Sequence, residues 1–163
     1  MVITEAPADL SLPPLNGEAR TLREWLTNFH LALFVIDPYT NESAWLLPTI
    51  TRVMREFADA DVRVAFLVTA DADDANAFLG PLAGEFLTFT DPARRIVASF
   101  GLERLPAFVH IRTDRSVGGV AQGWHPREWR GVTQRLAGVM SWAAPQIPAP
   151  GDPSPFDGSA AAG

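Results

Sequence analysis

Thr40, Asn41, Glu42 and Ser43 set two hydroxyls, an amide and a carboxylate side by side, with Tyr39 and Trp45 flanking them. Thr40 and Asn41 suit the N-cap of a helix, where a side-chain oxygen accepts from the first free backbone amides and stabilises by about 1 kcal/mol. Glu42 would complement the positive end of the same helix. The alternative is a polar contact surface, favoured if Tyr39 and Trp45 are exposed, because aromatic side chains dominate binding hot spots. Asp71, Asp73 and Asp74 follow an apolar run. An Asp-x-Asp pair in such a place could serve phosphoryl transfer, but that chemistry needs magnesium and a cation beside the phosphoryl group. The chain has no lysine to supply it, and the start of a helix accounts better for three acidic residues. His30, His110 and His125 are far apart in sequence and form no metal-binding pair at helical spacing. His110 alternates with Val109 and Ile111, as a surface or hydrogen-bonded strand residue would, and His125 adjoins Pro126 at a helix start. No Ser, His and Asp set can be picked out, since triads are defined by geometry. None of these groups implies a cofactor or a metal.

Two absences constrain the chemistry further. Without cysteine there is no disulfide, no thiolate nucleophile and no thiolate metal site. Without lysine there is no Schiff base and no phosphate-gripping lysine of the P-loop kind. All 13 basic side chains are arginine, which, with the abundant Ala, Gly and Pro, reads as codon usage in a GC-rich genome. The net charge of -6 argues against nucleic acid or an anionic membrane as the main partner. No apolar run approaches the roughly 20 residues that span a bilayer. Residues 1–10 have neither the basic start nor the apolar stretch of a secretory signal, so a cytoplasmic location is expected.

The elements that must position these groups follow from periodicity. At 163 residues, 47% apolar, the chain can bury one substantial core and is too short for two ordinary domains. Residues 15–18 read as a turn between two short extended pieces, and residues 21–28 as a short helix. Residues 31–36 form a continuous apolar run of strand length, covered on both faces and ended at Asp37-Pro38. Leu46, Leu47, Ile50, Val53, Met54 and Phe57 recur at helical spacing, which predicts a helix over 41–58 kinked at Pro48. A second buried strand at 62–69 completes a parallel crossover, and a helix at about 73–79 follows it. Residues 91–100 read as a helix capped by Asp91, and 107–112 with 117–122 as an antiparallel hairpin. A helix over 126–143 would bury Trp129, Val132, Leu136, Val139 and Met140. Residues 1–144 are thus one domain. Residues 145–163, rich in Pro, Gly, Ala and Ser, are expected to be a disordered tail. No internal repeat is visible.

Several segments carry a resemblance by their order. Ala6-Pro7-Ala8-Asp9-Leu10-Ser11-Leu12, then Asn16-Gly17 and Leu22, are followed by Leu33-Phe34-Val35-Ile36. Asp91-Pro92, Phe100-Gly101-Leu102, Leu105-Pro106-Ala107-Phe108-Val109 and Gly123 come after them. Together, from about Glu5 to Ala143, they resemble the thioredoxin-like redoxins of the TlpA type and the peroxiredoxins. The resemblance implies an α/β thioredoxin-like fold: three α/β/α layers, a central mixed sheet and an N-terminal extension. It also implies a cis proline at Leu105-Pro106, which in the family borders a groove where a partner's extended segment pairs with the backbone; the alternative is a proline kept only to fold the loop. The family's Cys-x-x-Cys falls on Thr40-Asn41-Glu42-Ser43, so both sulfur positions are hydroxyls. The buried carboxylate that assists many thioredoxins falls on Phe34. The family's electron transfer and thiol peroxidase chemistry are therefore not carried over.

The expectation is a redox-inactive domain that binds a protein or peptide through Tyr39, Thr40, Asn41, Glu42, Ser43, Trp45, Leu105 and Pro106. Alternatives are an enzyme of a non-thiol class using the same pocket, and a structural domain whose homodimer interface covers the groove.

Overall fold

An uninterrupted apolar run has two faces to bury, and the strand His30–Ile36 buries both. The computed structural model describes residues 1–163. Its elements are β1 (Ser11–Leu12), β2 (Arg20–Thr21), α1 (Leu22–Trp25), β3 (His30–Ile36), α2 (Asn41–Glu56), β4 (Val62–Val68), α3 (Ala72–Leu79), α4 (Leu82–Glu85) and β5 (Leu87–Thr90). They continue with α5 (Arg95–Ser99), β6 (Arg104–Leu105), β7 (Ala107–Ile111), β8 (Val117–Gln122), α6 (Pro126–Met140) and β9 (Ser159–Ala160). The central sheet has the order β5-β4-β3-β7-β8. Strands β3, β4 and β5 run parallel, and β7 and β8 return antiparallel. This is the expected α/β architecture with a mixed sheet, and β1 with β2 forms the N-terminal hairpin.

Period-two alternation distributes β3 between two cores. Ala32, Phe34 and Ile36 pack with the buried stripes of α2 and α6; Leu31, Leu33 and Val35 pack with Leu12, Leu22, Trp25 and the Ile96, Val97 and Phe100 cluster. Phe34 lies opposite Phe66 on β4 and Phe108 on β7. Its ring stacks on Phe108 at 4.4 Å, and Phe108 meets Trp129 at 5.6 Å, so sheet and α6 interlock through aromatic faces. Burying each such side chain stabilises by about 1.5–3 kcal/mol, enough to hold α2 in place with Pro48 inside it.

The structure departs from the sequence reading in four places of the fold. Val139 is 49% exposed. It lies at the rim of the α6 stripe, because α6 ends at Met140 with Ser141 in a left-handed conformation (φ 53°) and the Trp142 indole donates to the Glu56 carbonyl. The helix expected over 91–100 begins at Arg95, since Arg94 is itself left-handed (φ 59°). Asp91 still serves it, by accepting from the Val97 amide at 3.0 Å. The edge strand β5, with Phe89 buried, has no counterpart among the expected elements; at Leu87–Thr90 it is too short to stand out from periodicity.

The fourth correction is the largest. Residues 145–163 are packed rather than disordered. Ile147 is buried in the main core. The Asp152 carboxylate accepts from the Thr49 hydroxyl, the Arg52 guanidinium and the Ala149 amide at 2.7–2.9 Å. The Trp124 indole donates to the Pro153 carbonyl at 2.7 Å, and Trp124 and Phe156 exchange backbone hydrogen bonds at 2.7 and 3.0 Å. Beyond them β9 pairs antiparallel with β6. The segment has few apolar side chains, but its attachments are hydrogen bonds to backbone groups and a buried carboxylate, which composition does not reveal. No helix is long and apolar enough to cross a membrane.

Candidate functional site

The candidate residues lie where β3 hands over to α2. Asp37 is only 2% exposed, and its polar atoms knit the turn. One carboxylate oxygen accepts from the Tyr39 amide at 3.1 Å and the other from Arg94 at 2.7 Å. The Asp37 amide donates to Ser43 Oγ at 2.9 Å, and the Thr40 hydroxyl donates to the Asp37 carbonyl at 2.9 Å. Thr40 thus occupies the N-cap position of α2 but makes no side-chain capping bond, contrary to expectation. Its hydroxyl is spent on the turn, and the buried Ser43 hydroxyl serves the turn as well. At the start of α3 the acidic residues behave as expected, with Asp71 accepting from the Asp74 amide at 2.9 Å.

Tyr39 and Trp45 are exposed, at 64% and 55%. Neither swings free. The Tyr39 hydroxyl donates to the Asp74 carboxylate, which pushes the phenol pKa up to about 12 by stabilising the protonated form. Trp45 meets Phe156 of the C-terminal segment edge to face at 5.8 Å. Asn41 is exposed, Thr40 and Glu42 half-buried.

Leu105 and Pro106 are both buried, and the peptide between them is cis, as the resemblance implied. They are reached from Asp37 through Arg94 and the C-terminal segment. One Arg94 nitrogen holds Asp37 and another donates to the Ala161 carbonyl at 2.8 Å. Ser159 in turn lies opposite Leu105, and Ala160 opposite Arg104. The Ala161 amide donates to the Glu103 carbonyl at 2.9 Å. On the other side of β6, Gln122 Oε1 accepts from the Glu103 and Arg104 amides at 2.6 and 3.0 Å. The edge of β6 beside Pro106 is therefore already paired with an extended strand, supplied by the chain itself.

Glycine is required at two points of this strand's path. A Cβ on Gly158 (φ +87°) would lie 2.4 Å from the Leu105 carbonyl oxygen. A Cβ on Gly123 (φ +65°) would lie 2.4 Å from the Asp157 carbonyl oxygen. Sequence reasoning missed Asp37 as a site residue, Arg94, Gln122 and residues 157–163. The single usable signal was the run Gly158-Ser159-Ala160-Ala161, whose small side chains permit close backbone approach.

The structure brings two of the separated histidines together at the opposite end of β3. A ring nitrogen of His30 lies 2.8 Å from His110 Nε2, and His110 is 1% exposed, so it is not a surface residue. Its Nδ1 has no partner. Leaving a lone pair unpaired costs less than orphaning an N–H, which assigns the proton to Nε2, donating to His30 Nδ1.

Comparison with known proteins agrees with this geometry. No family model matches the chain, and no curated protein matches it in sequence. Among solved structures, it is similar to a candidate thiol:disulfide interchange protein DsbE of Chlorobium tepidum, at 18% identity over 86% of this chain and 99% of that one, with TM-score 0.70. Peroxiredoxin Q of Xanthomonas campestris matches at 13% identity over 86% and 97%, with TM-score 0.66. DsbF of Mycobacterium tuberculosis matches at 19% over 82% and 98%, with TM-score 0.65. These likenesses, all below 25% identity, show a thioredoxin-like α/β fold. The chain has no cysteine, so thiol–disulfide exchange and thiol peroxidation lack their nucleophile.

Proposed function

We propose that the chain is a redox-inactive binding domain that accepts an extended protein segment as an added strand on β6, in the groove bounded by Tyr39–Trp45, Arg94 and Leu105–Pro106. The observation that supports it is the antiparallel pairing of Arg104–Leu105 with an extended segment that belongs to no part of the central sheet. Strand addition of this kind draws affinity from main-chain hydrogen bonds and specificity from the pockets beside them. The groups around the groove suit binding better than catalysis. The partners of the Ser43 hydroxyl are the Asp37 amide and the Thr40 hydroxyl, and neither can take its proton as a base.

Selection of random displayed peptides against the folded full-length chain, followed by amide shift mapping, tests this reading. Enriched peptides should move the signals of Tyr39–Trp45, Arg94 and Glu103–Leu105. Enriched peptides that map elsewhere, or no enrichment above an unrelated control, would overturn it.

A further inference from the structure

We infer that residues 157–163 are a built-in, displaceable occupant of the β6 edge, and that the partner segment they stand in for carries glycine facing the Leu105 carbonyl and an apolar residue three places on, in the buried place of Ala161. The inference rests on the strand-addition reading above and specifies its ligand.

The C-terminal segment is held in two different ways. Residues 145–156 are fixed by side chains: Ile147 in the core, Asp152 on Thr49 and Arg52, and Phe156 against Trp45. After Phe156 no side chain larger than aspartate remains, and the attachments are mainly those of backbone to β6, with Ala161 the one side chain that enters a core. The Ala161 amide reaches the Glu103 carbonyl, and the Ala161 carbonyl takes an Arg94 N–H. A strand held in this way by a two-residue ladder opens more readily than the anchored stretch before it.

The same contacts state what a competing strand must look like. At the position of Gly158 the Leu105 carbonyl lies where a Cβ would stand, so only glycine passes. At the position of Ala161 the side chain is 1% exposed, beside a hollow of about 310 Å³ lined by Ala93, Val97, Ala98 and Leu102. No charged residue follows Asp157, whose carboxylate faces His125 at 3.1 Å on the rim. Recognition is therefore by backbone and at two positions: an extended Gly-x-x-apolar segment of a partner protein, preceded by an acidic residue, with its glycine against the Leu105 carbonyl and its apolar residue buried as Ala161 is.

The test uses the full chain and a fluorescent synthetic peptide of residues 157–163. Full-length Gly158→Val cannot seat its own strand and should bind the peptide saturably, at least about tenfold tighter than the wild type does. A peptide carrying the Gly158→Val or Ala161→Glu change should not bind. In the wild type, the Ala161 amide should exchange about a hundredfold faster than that of Phe34, through local opening; this measurement needs no variant. The inference is overturned by equal affinity of both chains, by failure of the peptide to bind folded Gly158→Val, by indifference to the peptide changes, or by Ala161 exchange as slow as Phe34. A wild-type dimer abolished by Gly158→Val would assign the occupant to a second copy instead, which also overturns it. If selected peptides of another pattern map to the groove while the 157–163 peptide fails, the strand-addition reading stands and this inference falls.

Discussion

Two buried polar pairs frame β3, and they answer to pH differently. At its C-terminal end Arg94 neutralises Asp37, so the carboxylate is buried with its counter-charge and its hydrogen bonds in place. Breaking such a pair from one side leaves an uncompensated charge, so each residue depends on the other to stay buried. At its N-terminal end His110 has its pKa pushed down from 6.5 to about 4, first by burial and then by His30, Arg112 and Arg135. His30 is lowered too, by burial and by Arg112, with Asp114 opposing. A depressed histidine pKa means that the unfolded chain takes up a proton before the folded one does. The contribution is complete above pH 6.5 and is lost as pH falls toward 4, at about 1.4 kcal/mol per unit for one group. Urea unfolding of wild type and His110→Asn between pH 7 and 4 should give a steeper decline for the wild type. Parallel curves would refute the assignment. The sequence placed His110 on a strand but could not place His30 beside it, because their proximity depends on the antiparallel register that sets Ala32 opposite His110.

Helix starts illustrate how local sequence decides some elements and not others. Thr21 and Thr40 both stand at N-cap positions in extended backbone conformation. Thr21 is followed three residues on by Glu24, and the two form a complete capping box, with the Thr21 hydroxyl accepting from the Glu24 amide and Glu24 accepting from the Thr21 amide at 3.1 Å. Thr40 is followed at the same interval by Ser43, whose hydroxyl is taken by Asp37. The box is readable from spacing; the diversion of Thr40 is not, since it requires the buried Asp37 turn. Thr21→Ala should therefore lower stability by about 1 kcal/mol in chemical denaturation. No change within error would show that the four residues of α1 are held by Leu22 and Trp25 alone. The late start of α5 has the same origin as the Thr40 diversion. Arg94 adopts a left-handed backbone that arginine does not favour, and its two guanidinium contacts, to Asp37 and Ala161, keep it there.

For the molecule as a whole, the C-terminal segment matters most, because it ties α2, α6 and β6 into one unit. Asp152 is its principal bolt, with three donors on a carboxylate that is 6% exposed. Asp152→Ala should reduce stability by about 1–3 kcal/mol and raise hydrogen exchange across 145–156, leaving the amides of the central strands protected. Unchanged exchange in that stretch would mean that Ile147 and Phe156 suffice. The sequence by itself determined the chemistry that is closed to this chain, through the missing cysteines. It also determined the order of the longer strands and helices, though not the short β5, α4, β6 and β9, because alternation and helical spacing are local patterns that burial enforces. Only the tertiary structure decided where residues 145–163 go, which histidines meet, and that Asp37, Arg94 and Ala161 form a chain across the site. Those arrangements are made by backbone hydrogen bonds and by single polar side chains between distant segments, and such contacts leave no periodic trace along the chain.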